Sequence, residues 1–235
     1  MKLGIMQPYF MPYLGYWQLM NFVDVFVIYD NIEYTKKGWI NRNRILVGGK
    51  DEYVSLSLKK DSDFLNVNER FLSEQFHLND VRKIINKITE SYRKAPMFSE
   101  VMPIVEKILL CPHKNLFDYI YNSLLVWKEF LKISTKILKS SSLSINIEEY
   151  KGKDKVIAIC KSLGAKSYIN AIGGQELYSK KDFATEGIEI KFIKPHLTPY
   201  KQFNNEFVPG LSIIDVLMFN SVEDVNLMLD NYSLI

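Results

Sequence analysis

Apolar positions along the chain recur in two rhythms, and each change of rhythm marks an element. Residues 2–7, KLGIMQ, form a short apolar run that stops at Pro8 and predict a buried strand. Residues 13–23, YLGYWQLMNFV, set Leu14, Trp17, Leu19, Met20 and Val23 at helical spacing. Residues 24–30, DVFVIYD, are apolar on both faces, as a central parallel strand requires. Strand, Pro/Gly-punctuated turn, short helix and strand make a βαβ unit. Residues 44–58 predict two strands joined at Gly48–Gly49. Residues 59–78 are polar and patternless and predict a mobile excursion. Helical periodicity then runs from Asn79 to Ile133, broken before Pro96 and at Pro112, which gives helices over 79–93, 99–110 and 114–132. Strands over 134–143, 166–171 and 188–194 follow, with helices over 153–163, 210–221 and the segment after it. The pattern predicts one α/β domain over residues 1–235. Its core is a three-layer Rossmann-like sheet, mostly parallel, with an antiparallel hairpin and a helical insertion at about 79–133.

Composition changes this picture little. Of 235 residues, 47% are hydrophobic and 24% charged, ordinary values for a globular chain. A net charge of +3 is too small for a general polyanion binder, so any anion site is local and nucleic acid is not an expected partner. Cys111 and Cys160 are far apart, which signals buried thiols in a reducing compartment. The N-terminus lacks signal-peptide character, and no run reaches the roughly eighteen apolar residues that span a bilayer. These features predict a cytoplasmic protein without membrane insertion. No phosphate-loop, dinucleotide, zinc-protease or nucleophile-elbow motif occurs, and His77, His113 and His196 show no metal spacing.

Three segments carry candidate chemistry. TKKGWINRNRI, residues 35–45, gathers Lys36, Lys37, Arg42 and Arg44 around Trp39, Asn41 and Asn43. On an extended segment Arg42 and Arg44 share a face, guanidinium forks match phosphate, and Trp39 offers a stacking plane. The competing reading is a solvated edge strand with Trp39 covering the core. MQPYFMPYLGYW, at the predicted carboxyl end of the first strand, makes a rigid aromatic turn. There Gln7, Tyr9 and Tyr13 suit a sugar or nucleotide, or else plug the end of the sheet. Asp30 closes the second strand and is the best-placed general base, with a turn-capping role as its rival; His196, after a later strand, is a second proton acceptor or a surface residue. Gly173–Gly174 either cradle an anion on backbone N–H groups or form a plain turn. In residues 198–220 Tyr200 and Gln202 alternate, and Ser212 with Asp215 reads as a near capping box. Tyr34 just before the basic block and Asn170 before the paired glycines complete the candidate binding set.

Taken together, MQPYFMPYLGYWQL, DVFVIYDNIEYTKKGWINRNRI, SYINAIGGQELY and YKQFNNEFVPGLSIIDVLMFN resemble the WbqC-like family, in order and across essentially the whole chain. Many members of that family have a His before the opening Gln-Pro; here the position is Met6, which excludes a histidine mechanism at that point. Such proteins occur among bacterial O-antigen and other surface-polysaccharide genes. The resemblance implies acyl or aminoacyl transfer to the amine of a nucleotide-linked sugar, such as a dTDP-4-amino-4,6-dideoxy sugar. It implies no resident cofactor, and a cosubstrate that is a coenzyme A thioester or an acyl or aminoacyl carrier protein. On this reading Lys37, Arg42 and Arg44 face the diphosphate, Trp39 packs on base or sugar, and Asp30 or His196 takes the ammonium proton. The Gly173–Gly174 backbone then serves as oxyanion donor. Two alternatives stay open: a glycosyltransferase, against which the chain lacks a DxD motif, and a non-catalytic binder of sugar nucleotide or acidic carrier protein.

Overall fold

Gly48 and Gly49 both take left-handed backbone (φ 57° and 84°), so strands β3 (Arg42–Val47) and β4 (Lys50–Ser55) join through the two-residue turn that their composition demands. A computed structural model describes residues 1–146 and 149–235. Its main sheet contains β1 (Lys2–Met6), β2 (Val25–Ile28), β5 (Lys136–Lys139), β6 (Ser167–Ala171), β7 (Glu189–Pro195) and β8 (Tyr232–Leu234). Their spatial order is β5-β2-β1-β6-β7-β8, parallel throughout except for β8. Helices α1 (Leu14–Phe22), α2 (Val81–Tyr92), α3 (Phe98–Leu109), α4 (Leu116–Phe130), α5 (Lys153–Ser162), α6 (Lys180–Ala184), α7 (Ile213–Phe219) and α8 (Val222–Leu229) complete it. Among the described residues no helix is long and apolar enough to cross a membrane.

Alternation along the strands builds three layers. In β2, Val25 and Val27 point into a cluster with Val156, Ile159 and Cys160 of α5 and Phe183 of α6. Phe26 and Ile28 point the other way, into a larger cluster shared with α1, the hairpin, α2–α4, α7 and α8. A strand covered on both faces must be apolar throughout, which is why DVFVIYD lacks the usual polar alternation.

Connectivity then locates the site. The chain runs outward from β1 through β2 to β5, returns to lay β6 on the opposite side of β1, and continues to β7. Strand order reverses between β1 and β6. The loops leaving their carboxyl ends diverge there and open a crevice, the usual ligand position in such sheets.

Three segments depart from the sequence-based reading. Residues 59–78 are packed rather than a free excursion. Val67 N–H donates to Ile32 O (2.9 Å), Leu72 N–H donates to Lys114 O (2.8 Å), and Val67, Arg70 and Leu72 are buried. Their backbone partners are irregular, so the buried side chains follow no period. The antiparallel strand β8, three residues after α8, is too short to show a period. Residues 198–202 form no strand, so alternation does not describe Tyr200 and Gln202.

Candidate functional site

At the switch point lies a cavity of about 690 Å³, a size suited to a small organic ligand. Its floor is the carboxyl end of β1, with Met6 and Gln7, and of β6, with Asn170 and Ala171. Tyr9 and Tyr13 from the turn after β1 form one wall, Tyr29 and Glu33 from the segment after β2 another, and Gly173, Gly174 and Tyr178 from the loop after β6 a third. Trp39 and Arg44 reach in from the hairpin side. The candidate residues that line the cavity are therefore Gln7, Tyr9, Tyr13, Trp39, Arg44, Asn170, Gly173 and Gly174.

The aromatic turn that carries Tyr9 and Tyr13 is clamped from below. Met11 takes a left-handed backbone (φ 44°), unusual for a side chain of its size. Asn43, buried on β3, donates through Nδ2 to Phe10 O (3.0 Å) and Met11 O (2.9 Å). Ser212 Oγ donates to Met11 O (2.8 Å), and Ile213 N–H donates to Pro12 O (3.0 Å). Ser212 Oγ also accepts from Ile214 N–H, so it caps α7 while holding the turn. Gly15 lets α1 start against this turn, since a Cβ there would lie 2.6 Å from both Tyr13 Cε2 and Pro195 Cγ.

On the hairpin, Arg42 and Arg44 do share a face, as alternation requires. Arg42 lies over Tyr53 (4.6 Å to the ring centre), Tyr53 stacks on Trp39 (6.2 Å), and Arg44 flanks Trp39 (5.5 Å). Their work differs. Arg42 donates from Nε to Gly38 O (3.1 Å) and from a terminal nitrogen to Lys37 O (2.7 Å), bracing the loop before β3, and it does not line the cavity. The Lys37 side chain is exposed outside the cavity. Arg44 alone of the four cations lines the cavity, its guanidinium paired with Asp51 (2.9 Å) and donating to Gly210 O (3.4 Å), while its buried Nε has no partner among the described residues.

Burial keeps the cavity phenols protonated. It raises Tyr9, with Tyr13 adding to the effect, raises Tyr13 itself, and pushes Tyr29 up to about 12, with Tyr178 contributing. At neutral pH these groups are hydroxyls, and among the described residues Tyr9, Tyr13 and Tyr29 spend none of them on protein hydrogen bonds. Gly174 approaches Asn170 so closely that a Cβ would lie 2.2 Å from Asn170 Nδ2, while Asn170 Oδ1 accepts from Ala171 N–H (2.9 Å).

The remaining candidates lie elsewhere. Asp30 is 2% exposed; its carboxylate accepts from Ser140 Oγ (2.8 Å), Ser141 N–H (2.9 Å), Ser141 Oγ (2.5 Å) and Asn68 Nδ2 (3.3 Å). That arrangement caps the turn after β5 and leaves no open approach from the cavity. His196 pairs at Nε2 with Ser233 Oγ (2.8 Å) at the β7–β8 edge, outside the cavity. Tyr34 donates to Asn41 Oδ1 (2.8 Å), and Asn41 donates to Leu56 O (3.0 Å), bracing the hairpin base. Tyr200 (2.6 Å), Gln202 (2.6 Å) and Tyr92 (2.8 Å) all donate to the fully buried Asp215, a hub that ties α2, α7 and residues 200–202 together. Tyr29, Glu33 and Tyr178 were not singled out as site residues from the sequence. The rule that ligands lie beyond strand carboxyl ends points to all three loops, but the choice among their side chains needs the backbone path. Among the described residues no group of three His, Cys, Asp or Glu side chains could hold a metal ion.

Comparison with known proteins adds a family. The profile of the WbqC-like protein family matches residues 7–227. A protein of Mycobacterium tuberculosis (strain ATCC 25618 / H37Rv), named uncharacterized protein Rv1507c, is 28% identical over 223 residues, which is 93% of this chain and 93% of that one. No solved structure matches. The matched span begins at Gln7 on the cavity floor, takes in every wall described above and ends within α8, and the chain belongs to the WbqC-like protein family.

Proposed function

We propose that the protein is a transferase that places an acyl or aminoacyl group on the amine of a nucleotide-linked amino-deoxy sugar, such as a dTDP-4-amino-4,6-dideoxy sugar, in bacterial O-antigen biosynthesis. Family membership is compatible with an enzyme. The observation that carries the reading is the switch-point cavity: aromatic walls with free hydroxyls, one arginine and a glycine pair converge where α/β sheets bind nucleotides. Trp39, Tyr9 and Tyr13 offer planes for base and sugar, and Arg44 serves the diphosphate. The neutral amine attacks the carbonyl carbon of a thioester. A C–N bond forms, the C–S bond breaks, and the proton that the attacking nitrogen gives up goes to the departing sulfur; the extra proton of the sugar ammonium leaves to solvent before the attack. Holding amine and thioester in contact supplies most of the acceleration, with backbone N–H groups at Gly173–Gly174 opposite the developing oxyanion.

The test is product formation. Purified protein is incubated with dTDP-4-amino-4,6-dideoxyglucose and, in separate reactions, short acyl-coenzyme A thioesters or acylated carrier protein, and the sugar nucleotide is read by mass spectrometry. The expected result is a sugar nucleotide heavier by one acyl group with one donor class. Binding of the amino sugar without product from any donor would favour the non-catalytic binder, and absence of binding would remove the reading.

A further inference from the structure

The cavity contains one cation and one carboxylate, and the two are differently committed. Arg44 already faces Asp51 at 2.9 Å. Glu33 also lines the cavity, yet among the described residues no Lys, Arg or His pairs with its carboxylate. The neighbouring Lys36 is taken by Asp63 at 2.8 Å. Glu33 is not on a loose segment: its backbone bridges to Asn66, and the next residue, Tyr34, donates its N–H to Leu65 O (3.1 Å). Glu33 is an exposed residue of a lining that also includes the rings of Tyr9, Tyr13, Tyr29 and Trp39. Aromatic faces carry negative potential and attract cations, and an unpaired carboxylate in the same cavity adds a full charge.

A cavity built to hold only a diphosphate would not place an unpaired carboxylate in its wall, because like charges oppose each other there. We infer that Glu33 is the group that selects an amino sugar over its hydroxyl counterpart, by accepting hydrogen bonds from the sugar ammonium within the tyrosine-lined wall. This rests on the nucleotide-sugar reading above and assigns the specificity of that site. Arg44 takes the anionic end of the ligand and Glu33 the cationic end. The two opposite charges therefore also set which way round the ligand lies.

Calorimetry with two ligands and three proteins tests it. The ligands are dTDP-4-amino-4,6-dideoxyglucose and dTDP-6-deoxyglucose, which differ only in the amine. The proteins are wild type, Glu33→Gln and Glu33→Asp. Wild type should prefer the amine about tenfold or more, the scale of one charge-assisted hydrogen bond. Glu33→Gln should lose that preference, and Glu33→Asp should keep part of it. If wild type binds both ligands equally, or Glu33→Gln keeps the full preference, the Glu33 assignment is overturned and the nucleotide-sugar reading stands. If wild type binds neither ligand, that reading fails first and the assignment falls with it.

Discussion

At the scale of single residues, the site depends on one close approach. Gly174 has no Cβ, and Asn170 Nδ2 occupies the space a Cβ would need. Overpacking of this kind costs about 1–3 kcal/mol. The variant Gly174→Ala should therefore weaken nucleotide-sugar binding about tenfold by displacing the Asn170 amide or the loop. The melting temperature should fall as well, by about 2–4 °C per kcal/mol of that cost. Gly173→Ala is the control, since a Cβ there meets nothing within 4 Å. Equal affinities for the two variants would show that the Asn170 contact does not shape the site. The paired glycines stand out in the sequence, but only the backbone path tells which of the two has no room to spare.

At the scale of elements, the family motifs act as clamps as much as walls. Asn43 and Ser212 reach the turn at Phe10–Pro12 from β3 and α7, which are far apart in the chain. Asn43→Ala leaves Phe10 O without its donor and Met11 O with Ser212 Oγ alone, which costs about 1–3 kcal/mol in a buried site. We expect a lower urea midpoint and, because Tyr9 and Tyr13 ride on that turn, weaker ligand binding as well. A variant with wild-type midpoint and affinity would mean that the turn holds itself. The strands and helices were legible because their apolar periods are local properties of the chain. The role of Asn43 was not, because its partners are backbone carbonyls more than thirty residues away, and carbonyls look the same in every sequence. Asp30 shows the converse. Its place at the end of β2 was legible, while the hydroxyls of Ser140 and Ser141 that enclose it come from the turn beyond β5.

At the scale of the whole molecule, one buried carboxylate couples the helical insertion to the C-terminal helices. Burial raises the pKa of Asp215, while hydrogen bonds from Tyr200, Tyr92 and Gln202 pull it back. With the folded value raised, the folded protein holds this proton more tightly than the unfolded chain does. The contribution is then fully present below the ordinary carboxyl range and declines as pH rises through it to the folded value. Wild type should lose stability relative to Asp215→Asn as pH rises from about 3 to 7, read from urea midpoints. A constant difference between the two would contradict that sign. The same long-range assembly decides where a ligand can sit. Strand order places the cavity between β1 and β6, whereas the basic run is split by the hairpin, with Arg44 inside and Lys37 and Arg42 outside. The most direct test is the affinity of dTDP-4-amino-4,6-dideoxyglucose for wild type, Arg44→Ala, Arg42→Ala and Lys37→Ala by calorimetry. Loss of a charged hydrogen-bond donor costs about 1.5–3 kcal/mol, so Arg44→Ala should bind tenfold or more weakly, and the other two within about twofold of wild type. Unchanged binding by Arg44→Ala, with loss in Arg42→Ala or Lys37→Ala, would place the nucleotide on the exposed face of the hairpin and contradict the switch-point site.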